Sequence, residues 1–491
     1  MHEEGTLRSA DGSTPGDGPL RDLVARLAAG HPDALALRTM DGTTVTFAEL
    51  TARADRAAAE LPPGARRVAV AMTNDVDSVA RLAAVWSRGA SAVLLGALLP
   101  SREAERRVQE SHADAVLGRP EVVPTLAPGR APAAADEALV VFTSGTTGRP
   151  KAAVLSFGGL SRSLLGIARG SGLPDSGRAP TVPPRRLSPL FTPLAHMGGA
   201  LGLLSGWYVG KPSLIVSKFD AMVALQLVDD FGVTVLRLTP AMVYDLAHWP
   251  QERGLGEVRS VSVGTAPIAD ATRELFERRY GVPVLRNYGQ TEFSGAIAFE
   301  RIDDVRAGRR PPGTVGRVAP GVEVRIVGAG GDDLPAGAAG EIVARGGGAM
   351  TGYLGPDGRP VPPGPAGWVR TGDLGALDAD GFLSVLGRVR EMILCGGFNV
   401  YPAVVEAAIN RLPGVVDSAV AGAADPRLGE IPVAVVVTDG RPTSAAEVKA
   451  ALRAELAPYE VPRRIVFDAE LPRTENGKVD RPGVVRRVSA G

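Results

Sequence analysis

Short apolar runs rich in β-branched residues alternate with segments of helical periodicity in the first part of the chain. Residues 68–72 form one such run, and after Asn74 the apolar residues recur at helical spacing, as Val76, Val79, Ala80, Ala83 and Trp86. Asparagine is favoured at helix N-termini, so Asn74 is predicted to cap this helix. Further strand-like runs occupy residues 92–95, 139–142, 213–216, 233–238, 261–263 and 282–285. Because strands separated by helices form βαβ units, the pattern predicts an α/β body with parallel sheets.

The pattern changes after Pro311, where Gly-rich turns separate short strands at 322–327, 340–345 and 382–386. These strands predict a small β-rich subdomain. Beyond a boundary near 388–391, helical segments at 403–411 and 445–456 and strand-like runs at 418–421 and 433–438 predict a separate α+β domain. The predicted organisation is a disordered tail over 1–19, an N-terminal domain over 20–389 and a C-terminal domain over 390–491.

Composition narrows the classes of function. Lys+Arg and Asp+Glu both number 54, so no net field attracts nucleic acid or an anionic membrane. The single cysteine, Cys395, excludes an internal disulfide framework and fits a reducing cytoplasm. The first nineteen residues lack the apolar run of a signal peptide, and no stretch approaches the ~20 apolar residues of a membrane-spanning helix. We therefore expect a soluble, cytoplasmic protein with small-molecule partners, without nucleic acid and without a membrane span.

One segment after a predicted strand has the composition of a phosphate-binding loop. It combines hydroxyls, glycines and a lysine, in the order Thr143-Ser144-Gly145-Thr146-Thr147-Gly148-Arg149-Pro150-Lys151. Glycines let backbone N–H groups approach phosphate oxygens, hydroxyls donate to them and Lys151 supplies positive charge. It is not a Walker A loop, since Gly145 and Gly148 are too close together and Ala152 follows the lysine. Taken alone, the run could equally be a Gly/Thr-rich turn.

The run closely resembles the phosphate-binding signature of the adenylate-forming superfamily, which includes acyl-CoA synthetases, nonribosomal adenylation domains and firefly-type luciferases. Further motifs follow in that family's order, namely Tyr288-Gly289-Gln290-Thr291-Glu292, Thr371-Gly372-Asp373, Gly387-Arg388-Val389-Arg390-Glu391, Gly396-Gly397-Phe398-Asn399-Val400-Tyr401-Pro402 and Leu471-Pro472-Arg473-Thr474-Glu475-Asn476-Gly477-Lys478. The resemblance extends from about residue 20 to the end. It implies a large N-terminal AMP-binding domain, with two βαβ-type subdomains and a small β-barrel-like one, and a mobile C-terminal domain.

The resemblance also implies which residues bind nucleotide. Tyr288 offers a flat face to adenine, and the acceptor-only carboxylate of Asp373 suits the ribose hydroxyls. Glu292 is suited to Mg²⁺ that bridges phosphate oxygens, and Thr291 to the α-phosphate. The full set expected to bind ATP is Thr143, Ser144, Gly145, Thr146, Thr147, Gly148, Lys151, Gly264, Thr265, Ala266, Asn287, Tyr288, Gly289, Asp373 and Arg388.

Lys478 is the principal catalytic residue that the resemblance implies. In the family this lysine holds the attacking carboxylate and the α-phosphate as negative charge accumulates in the transition state. Thr291, Glu292 and His196 are expected to assist, with His196 between the acyl site and the γ-phosphate side. After adenylation the C-terminal domain is expected to swing, withdrawing Lys478 and bringing residues 396–402 to line a pantetheine tunnel.

The expected substrate pocket consists of His196, Met197, Gly198, Arg237, Val263, Gly264 and Gln290. Residues 195–207 contain no acidic side chain, whereas amino-acid-activating relatives use an aspartate there, so an α-amino acid is disfavoured. Small residues such as Gly199, Ala200 and Gly202 are expected to leave room for a medium-chain or aromatic carboxylate. Arg237 interrupts an apolar strand, and a buried arginine requires an anionic or acceptor partner. That partner is either a substrate group or an internal ion pair, unless Arg237 lies on an exposed edge.

One position departs from the family pattern. Two residues before the motif tyrosine, relatives commonly carry an acceptor for the adenine amino group, but this chain carries Arg286, which has none. Either Asn287 or a backbone carbonyl is expected to replace it.

Three functions follow. The first is an acid–CoA ligase that uses ATP, Mg²⁺ and coenzyme A. The second is an adenylate-forming ligase of a biosynthetic pathway with another acceptor, which is a separate carrier protein, an amine, or nitrite activated for diazotisation. The third, a non-catalytic binding protein, is disfavoured because Lys478, Glu292 and Asp373 are all present.

Overall fold

The structure is a computed structural model that describes residues 20–124, 133–143, 150–170, 187–208, 211–441, 443–473 and 479–490. Its α-helices are α1 (Leu23–Gly30), α2 (Phe47–Ala59), α3 (Val76–Ser87), α4 (Ser101–Glu110), α5 (Phe157–Gly170), α6 (Met197–Tyr208), α7 (Ala221–Phe231), α8 (Pro240–Ala247), α9 (Asp270–Tyr280), α10 (Ile302–Arg306), α11 (Pro402–Asn410), α12 (Ala445–Leu452) and α13 (Arg481–Ala490). Short 3₁₀ turns occupy Thr291–Phe293, Pro365–Gly367 and Val389–Glu391.

The strands of the first half are β1 (Leu35–Thr39), β2 (Thr44–Thr46), β3 (Arg67–Met72), β4 (Ser91–Gly96), β5 (Ala115–Leu117), β6 (Glu137–Thr143), β7 (Lys151–Ser156), β8 (Ser188–Leu190), β9 (Ser213–Ile215), β10 (Val235–Leu238) and β11 (Ser260–Val263). Those of the second half are β12 (Val284–Gln290), β13 (Gly295–Phe299), β14 (Thr314–Val318), β15 (Val322–Val327), β16 (Gly340–Gly346), β17 (Gly352–Leu354), β18 (Pro360–Val361), β19 (Val369–Leu377), β20 (Phe382–Arg388), β21 (Ile393–Cys395), β22 (Phe398–Val400), β23 (Val415–Asp425), β24 (Gly429–Thr438) and β25 (Arg464–Asp468).

A seven-stranded sheet in the order β18-β17-β7-β6-β4-β3-β5 forms the centre of the first half. Strands β5, β3, β4 and β6 are parallel, as the alternating pattern predicted, and β7 and β17 add antiparallel strands at one side. Every residue of β3 is buried, since helices cover both faces of a parallel sheet. A four-stranded sheet in the order β2-β1-β9-β8 lies beside it. The predicted α/β body is confirmed.

Asn74 does not cap α3 as predicted. The N-cap is Asp75, whose side chain accepts the N–H of Ser78 at 2.6 Å. The Asn74 side chain instead donates to the carbonyls of Thr192 and Val216 and accepts the N–H of Leu194 at 2.8 Å. Asn74 therefore joins the end of β3 to the chain that leads into α6, a long-range role that sequence spacing does not show.

The β-rich part predicted after Pro311 continues a parallel sheet of the body. Strands β10, β11 and β12 are parallel, and β12 then pairs with β13 at the start of the antiparallel series β13-β14-β20-β19-β16-β15. Strand β12 belongs to both parts and contains Tyr288 and Gln290. The parallel and antiparallel halves therefore meet at the segment where the sequence predicted the nucleotide site.

Residues after Ile393 have a core of their own. Strands follow the order β22-β21-β24-β23, with β25 parallel to β24, and α11 and α13 pack on β23. Buried apolar residues from Ile393 to Val488 form one cluster, and α11 also contacts β20 of the preceding sheet. Helix α12 ends at Leu452, four residues before the predicted end. Among the described residues, no helix has the length and apolar character required to cross a membrane.

An ion pair is fully buried in the seven-stranded sheet. Arg67 on β3 donates from Nε and Nη2 to the two carboxylate oxygens of Glu137 on β6, each at 2.7 Å, and both side chains are 1% exposed. Arg67 Nη1 also donates to the carbonyl of Ser111. Such a pair adds little net stability over apolar packing, but losing one partner leaves an uncompensated buried charge.

We predict that Glu137→Gln destabilises the protein by about 3 kcal/mol, because the Arg67 guanidinium then lacks its counter-ion. Urea unfolding monitored by tryptophan fluorescence measures the change. Glu274→Gln is the matched control, since Glu274 forms an exposed pair with Arg278 on α9, and such pairs contribute less than about 1 kcal/mol. Equal stability changes for the two variants would contradict the assignment.

Candidate active site

The predicted phosphate-binding run spans the connection between two adjacent antiparallel strands. Thr143 at the end of β6 is paired in register with Lys151 at the start of β7, and the Thr143 hydroxyl donates to the Lys151 carbonyl. Ser144, Gly145, Thr146, Thr147 and Gly148 lie outside the described residues. The described ends therefore place this run at a hairpin at one end of the seven-stranded sheet.

Lys151 and Glu292 meet through a tyrosine that the sequence reasoning missed. Tyr353 on β17 is paired with Ala153 on β7, and its ring lies 5.2 Å from Lys151 Nζ in a cation–π contact. Its hydroxyl donates to Glu292 Oε1 at 2.7 Å. Burial and the neighbouring Glu292 carboxylate raise the pKa of Tyr353, so the phenol remains a proton donor. Only the pairing of β17 with β7 brings Tyr353 here, and nothing in its local sequence indicates that pairing.

The backbone holds the Glu292 turn in place. Thr291 and Glu292 form the 3₁₀ turn between β12 and β13, and the Glu292 carbonyl accepts the N–H of Met350 at 2.7 Å. The turn is tight because Gly289 passes against Gly295, where a Cβ would lie 2.1 Å from the Gly295 carbonyl oxygen. The predicted metal-binding carboxylate therefore lies on rigid backbone beside the phosphate hairpin.

Asp373 is a buried carboxylate with three protein donors. Tyr288 Oη and Gln290 Nε2 each donate to Oδ2 at 2.6 Å, and Arg388 Nε lies 2.7 Å from Oδ1. Arg388 is its in-register neighbour on β20. Burial raises the pKa of Asp373, and Arg388 opposes the rise. Burial, with the Asp373 charge beside it, likewise raises the pKa of Tyr288 well above its usual range.

Gln290 thus belongs with Asp373, although it was predicted to line the substrate pocket. Besides Asp373, its amide nitrogen donates to the carbonyl of Thr371 at 3.0 Å. The structure brings Tyr288, Gln290, Asp373 and Arg388 together, as the predicted adenosine site requires. A ribose hydroxyl would bind a carboxylate whose position these donors fix.

The loop after β11 passes closely against β12. A Cβ on Gly264 would lie 2.1 Å from Asn287 Oδ1, so only glycine fits there. Asn287 Nδ2 donates to Ser262 Oγ at 3.0 Å. Thr265 is exposed with a φ of 72°, an uncommon conformation for a non-glycine residue, and Ala266 is exposed beside it. This strained, exposed loop adjoins Asn287, the residue expected to take over adenine recognition.

Arg286, which replaces the family's acceptor, has a structural role. Its backbone N–H donates to Glu300 Oε2 at 2.7 Å, and its guanidinium pairs with Oε1 at 3.1 Å. Arg310 pairs with the same carboxylate at 2.9 Å. Burial alone would raise the pKa of Glu300, but these arginines outweigh it and the net shift is downward. Arg286 therefore forms a structural ion pair with Glu300.

The acyl side of the site begins at the N-terminus of α6. His196 is exposed, and its carbonyl accepts the N–H groups of Gly199 and Ala200 in the first helical turn. Met197 is buried, whereas Gly198 is exposed, and a Cβ there would contact the methyl group of Thr265 at 3.9 Å. The α6 N-terminus and the Gly264 loop are therefore neighbours, as the predicted pocket requires.

The small residues of α6 do not create the space that was expected. A Cβ on Gly199 would lie 2.2 Å from the Pro193 carbonyl oxygen, and one on Gly202 would lie 3.1 Å from Leu190. Ala200 is buried in the core. These residues let α6 pack closely against its surroundings, so the expectation that they leave room for an acyl group is corrected, except at Gly198.

Arg237 and Val263 point to opposite sides of their sheet. Val263 is buried in the core formed with Leu238 and Val261, so its side chain does not join the other predicted pocket residues. Arg237 on β10 is the in-register neighbour of Ser262, on the other face. Its Nη1 donates to Ser188 Oγ on β8 at 3.2 Å. Burial lowers the pKa of Arg237.

Lys478, the predicted catalytic lysine, lies outside the described residues. The residues that flank it are described: Arg473 and Val479 form an isolated antiparallel bridge. Residues 396–400 form the turn and second strand of the β21–β22 hairpin, and Tyr401 and Pro402 begin α11. The turn is formed by Gly396 and Gly397 with φ values of 60° and 86°. The exposed ring of Phe398 stacks on Tyr459 at 4.5 Å.

Comparison with known proteins agrees with this geometry. The AMP-binding enzyme model matches residues 24–131 and 119–354, and the AMP-binding enzyme C-terminal domain model matches residues 404–478. A feruloyl-CoA synthase from an Amycolatopsis species is 33% identical over 94% of this chain and 97% of its own. An indoleacetate–CoA ligase from Aromatoleum aromaticum is 35% identical over 72% of this chain and 67% of its own.

Solved structures match over nearly the whole chain. ATP-bound MatB from Rhodopseudomonas palustris superposes with a TM-score of 0.81 at 28% identity, over 95% of this chain and 98% of that one. The amide bond synthetase McbA from Marinactinospora thermotolerans gives 0.80 at 28% identity, over 96% and 100%. The Lys151–Tyr353–Glu292 contacts and the buried Asp373 thus occur in a chain related to these enzymes over nearly its whole length. The chain belongs to the AMP-binding enzyme family of the adenylate-forming superfamily and is an ATP-dependent, AMP-forming ligase.

Proposed function

We propose that the protein is an acid–CoA ligase, which converts a small carboxylic acid into an acyl-AMP with release of pyrophosphate and then into a CoA thioester. The proposal rests chiefly on Lys151 and Glu292, which meet at Tyr353, and on the Asp373 cluster where the parallel and antiparallel parts of the large sheet meet. The feruloyl-CoA synthase and indoleacetate–CoA ligase support coenzyme A as acceptor. ATP and coenzyme A are cytoplasmic metabolites, so we place the reaction there.

Glu292 is suited to binding Mg²⁺ together with the phosphates. Its carboxylate accepts one hydrogen bond from Tyr353 and has acceptor capacity beyond it. Glu292 would hold the ion through this carboxylate. When bound, Mg²⁺ supplies positive charge to the phosphate oxygens. Tyr353 holds the carboxylate in position, and Lys151 adds positive charge from the hairpin.

The adenosine half is assigned to the Asp373 cluster. We assign the ribose hydroxyls to Asp373 and Arg388, the adenine face to Tyr288 and the adenine edge to Asn287 and the 264–266 loop. Because Tyr288 and Gln290 already fix Asp373 in the ligand-free protein, little reorganisation is needed when nucleotide binds. Thr291 at the turn beside Glu292 is assigned to the α-phosphate.

Lys478 is assigned to the chemical step. As the carboxylate attacks the α-phosphorus, negative charge builds on the phosphoryl oxygens. A nearby ammonium stabilises this transition state more than it stabilises the ground state. His196, exposed at the α6 N-terminus, is assigned to the acyl entrance beside the phosphates.

A second class of molecule is a candidate for accepting the activated acyl group. McbA is an amide bond synthetase, and it covers this chain as completely as the CoA ligases do. An amine, a separate carrier protein or nitrite therefore stands as the alternative acceptor. The β21–β22 hairpin favours a pantetheine thiol. Its turn is formed by two glycines, which have no side chains, so the extended pantetheine arm has room to lie along the backbone.

We predict acid-dependent exchange of ³²P-pyrophosphate into ATP with a panel of aliphatic and aromatic carboxylates. The same acids incubated with coenzyme A should give thioesters detectable by mass spectrometry. Exchange without any thioester, together with product formation from amines, nitrite or a carrier protein, would favour the second candidate. Absence of exchange with every acid would contradict the ligase assignment.

We predict that Lys478→Ala lowers the exchange rate by about 100-fold or more, because the charge that stabilises the transition state is removed. ATP affinity, measured by calorimetry, should remain close to that of the wild type. Lys449→Ala is the control in the same domain, since Lys449 only donates to the carbonyl of Arg463. Full adenylation activity in Lys478→Ala would overturn the role of Lys478.

We predict that Tyr353→Phe raises the KM for Mg·ATP by about tenfold, since Glu292 loses the donor that positions it. Tyr280→Phe is the matched control, because its phenol donates to the Leu246 carbonyl. Exchange kinetics at varied Mg·ATP measure both variants. An unchanged KM in Tyr353→Phe would show that the Tyr353–Glu292 contact does not serve nucleotide binding.

A further inference from the structure

Arg237 is a half-buried arginine of strand β10 whose partner among the described residues is a hydroxyl. Its Nη1 donates to the neutral hydroxyl of Ser188, and no carboxylate among the described residues lies within ion-pair distance of it. Burial lowers the pKa of Arg237, and no neighbouring charge contributes to that shift. A guanidinium nevertheless remains protonated in proteins, so a positive charge is held in a poorly solvated place.

Several other buried or half-buried arginines among the described residues have carboxylate partners. Arg67 has both oxygens of Glu137, Arg286 has Glu300, and Arg481 has Glu391 and Glu406. An uncompensated buried charge costs stability, so the chain has retained at position 237 a group that is unfavourable in the free protein. A bound anion would remove that cost.

The surroundings of Arg237 place it beside the acyl site. Its in-register neighbour on β11 is Ser262, two residues before Gly264 of the predicted nucleotide loop. Its partner Ser188 lies against α6, where a Cβ on Gly206 would be 3.6 Å from the Ser188 Cβ. The N-terminus of the same helix touches Thr265. Arg237 therefore lies where β10, β8 and α6 approach one another, and its neighbour on β11 leads into the Gly264 loop.

Arg237 is half-buried, so part of its side chain remains accessible to solvent. Ser262 adds a second polar group on the same face, and its hydroxyl accepts from Asn287 Nδ2. Ser262, its neighbour on β11, is two residues from Gly264, which is roughly 7 Å of extended chain. A group bound to the guanidinium would therefore lie at the far end of an acid whose reacting carboxylate is at the nucleotide loop.

We propose that Arg237 selects acids with a second anionic group, distal to the carboxylate that is activated. This inference rests on the proposed function and names its substrate class. The distal anion accepts hydrogen bonds from the guanidinium, assisted by Ser188, while the reacting carboxylate faces ATP. A bidentate pair with a planar guanidinium gives both charge and geometric selectivity.

The test uses ATP–pyrophosphate exchange with matched pairs of acids. The probes are the aliphatic diacids from succinate to suberate and the 1,3- and 1,4-benzenedicarboxylates, each with its monomethyl ester, beside the corresponding simple monoacids. The ester keeps the size and a carbonyl acceptor but removes the distal charge. We expect kcat/KM to be at least about tenfold higher for at least one diacid than for its ester.

Arg237→Met should remove this preference, so that kcat/KM for the diacid falls to about that for its ester. Arg259→Met is the matched control, because Arg259 is exposed just before β11 at the opposite end of the same strand, and its preference should equal that of the wild type. Arg237→Gln serves as a second variant, and thermal unfolding checks that each variant is folded. In addition, the preferred diacid should raise the Tm of the wild type and not that of Arg237→Met.

Three results would overturn the inference. These are equal or better use of esters or monoacids by the wild type, a retained diacid preference in the Arg237 variants, and a Tm increase with diacid that does not depend on Arg237. In all three cases exchange with other acids would leave the ligase function standing. Absence of exchange with every acid would instead remove the proposed function itself.

Discussion

The carboxylate of Asp373 has to be compensated because it is buried, and the residues of its cluster come from three different strands. Tyr288 and Gln290 belong to β12, Asp373 to β19 and Arg388 to β20. Since β12 ends the parallel series and β19 and β20 belong to the antiparallel one, this cluster fixes how the two halves of the large sheet meet. Arg388 is also the last residue before the turn into the C-terminal region. The cluster assigned to adenosine and the start of the C-terminal region therefore share one electrostatic centre.

The phosphate end depends on a comparable convergence. Lys151, Tyr353 and Glu292 come from three distant parts of the chain and meet because β7 lies between β6 and β17. Tyr353 stands between a cation at its ring face and an anion at its hydroxyl. In this way one aromatic side chain sets the relative positions of the two charged groups assigned to Mg·ATP.

The hydrophobic pattern of the sequence predicted the structural features that depend on residues close together in the chain. The strands around 68–72 and 92–95, the α/β order and the C-terminal α+β region are all present, because apolar periodicity reports burial. Long-range partners were not predictable. Asn74 was predicted to cap α3, but its side chain bonds to the carbonyls of Thr192 and Val216. The glycines of α6 were predicted to leave space for substrate, but they allow the helix to pack closely. The pairing of Arg286 with Glu300 likewise needs the β12–β13 turn to bring them together.

The central claim is that a carboxylate attacks the α-phosphorus of ATP at this convergence. The most direct measurement uses an accepted acid whose carboxylate is labelled with ¹⁸O, with mass spectrometry of the nucleotide after turnover with coenzyme A. The account predicts AMP that contains one ¹⁸O atom from the acid, with unlabelled pyrophosphate. Formation of ADP, with the label in inorganic phosphate, would contradict it.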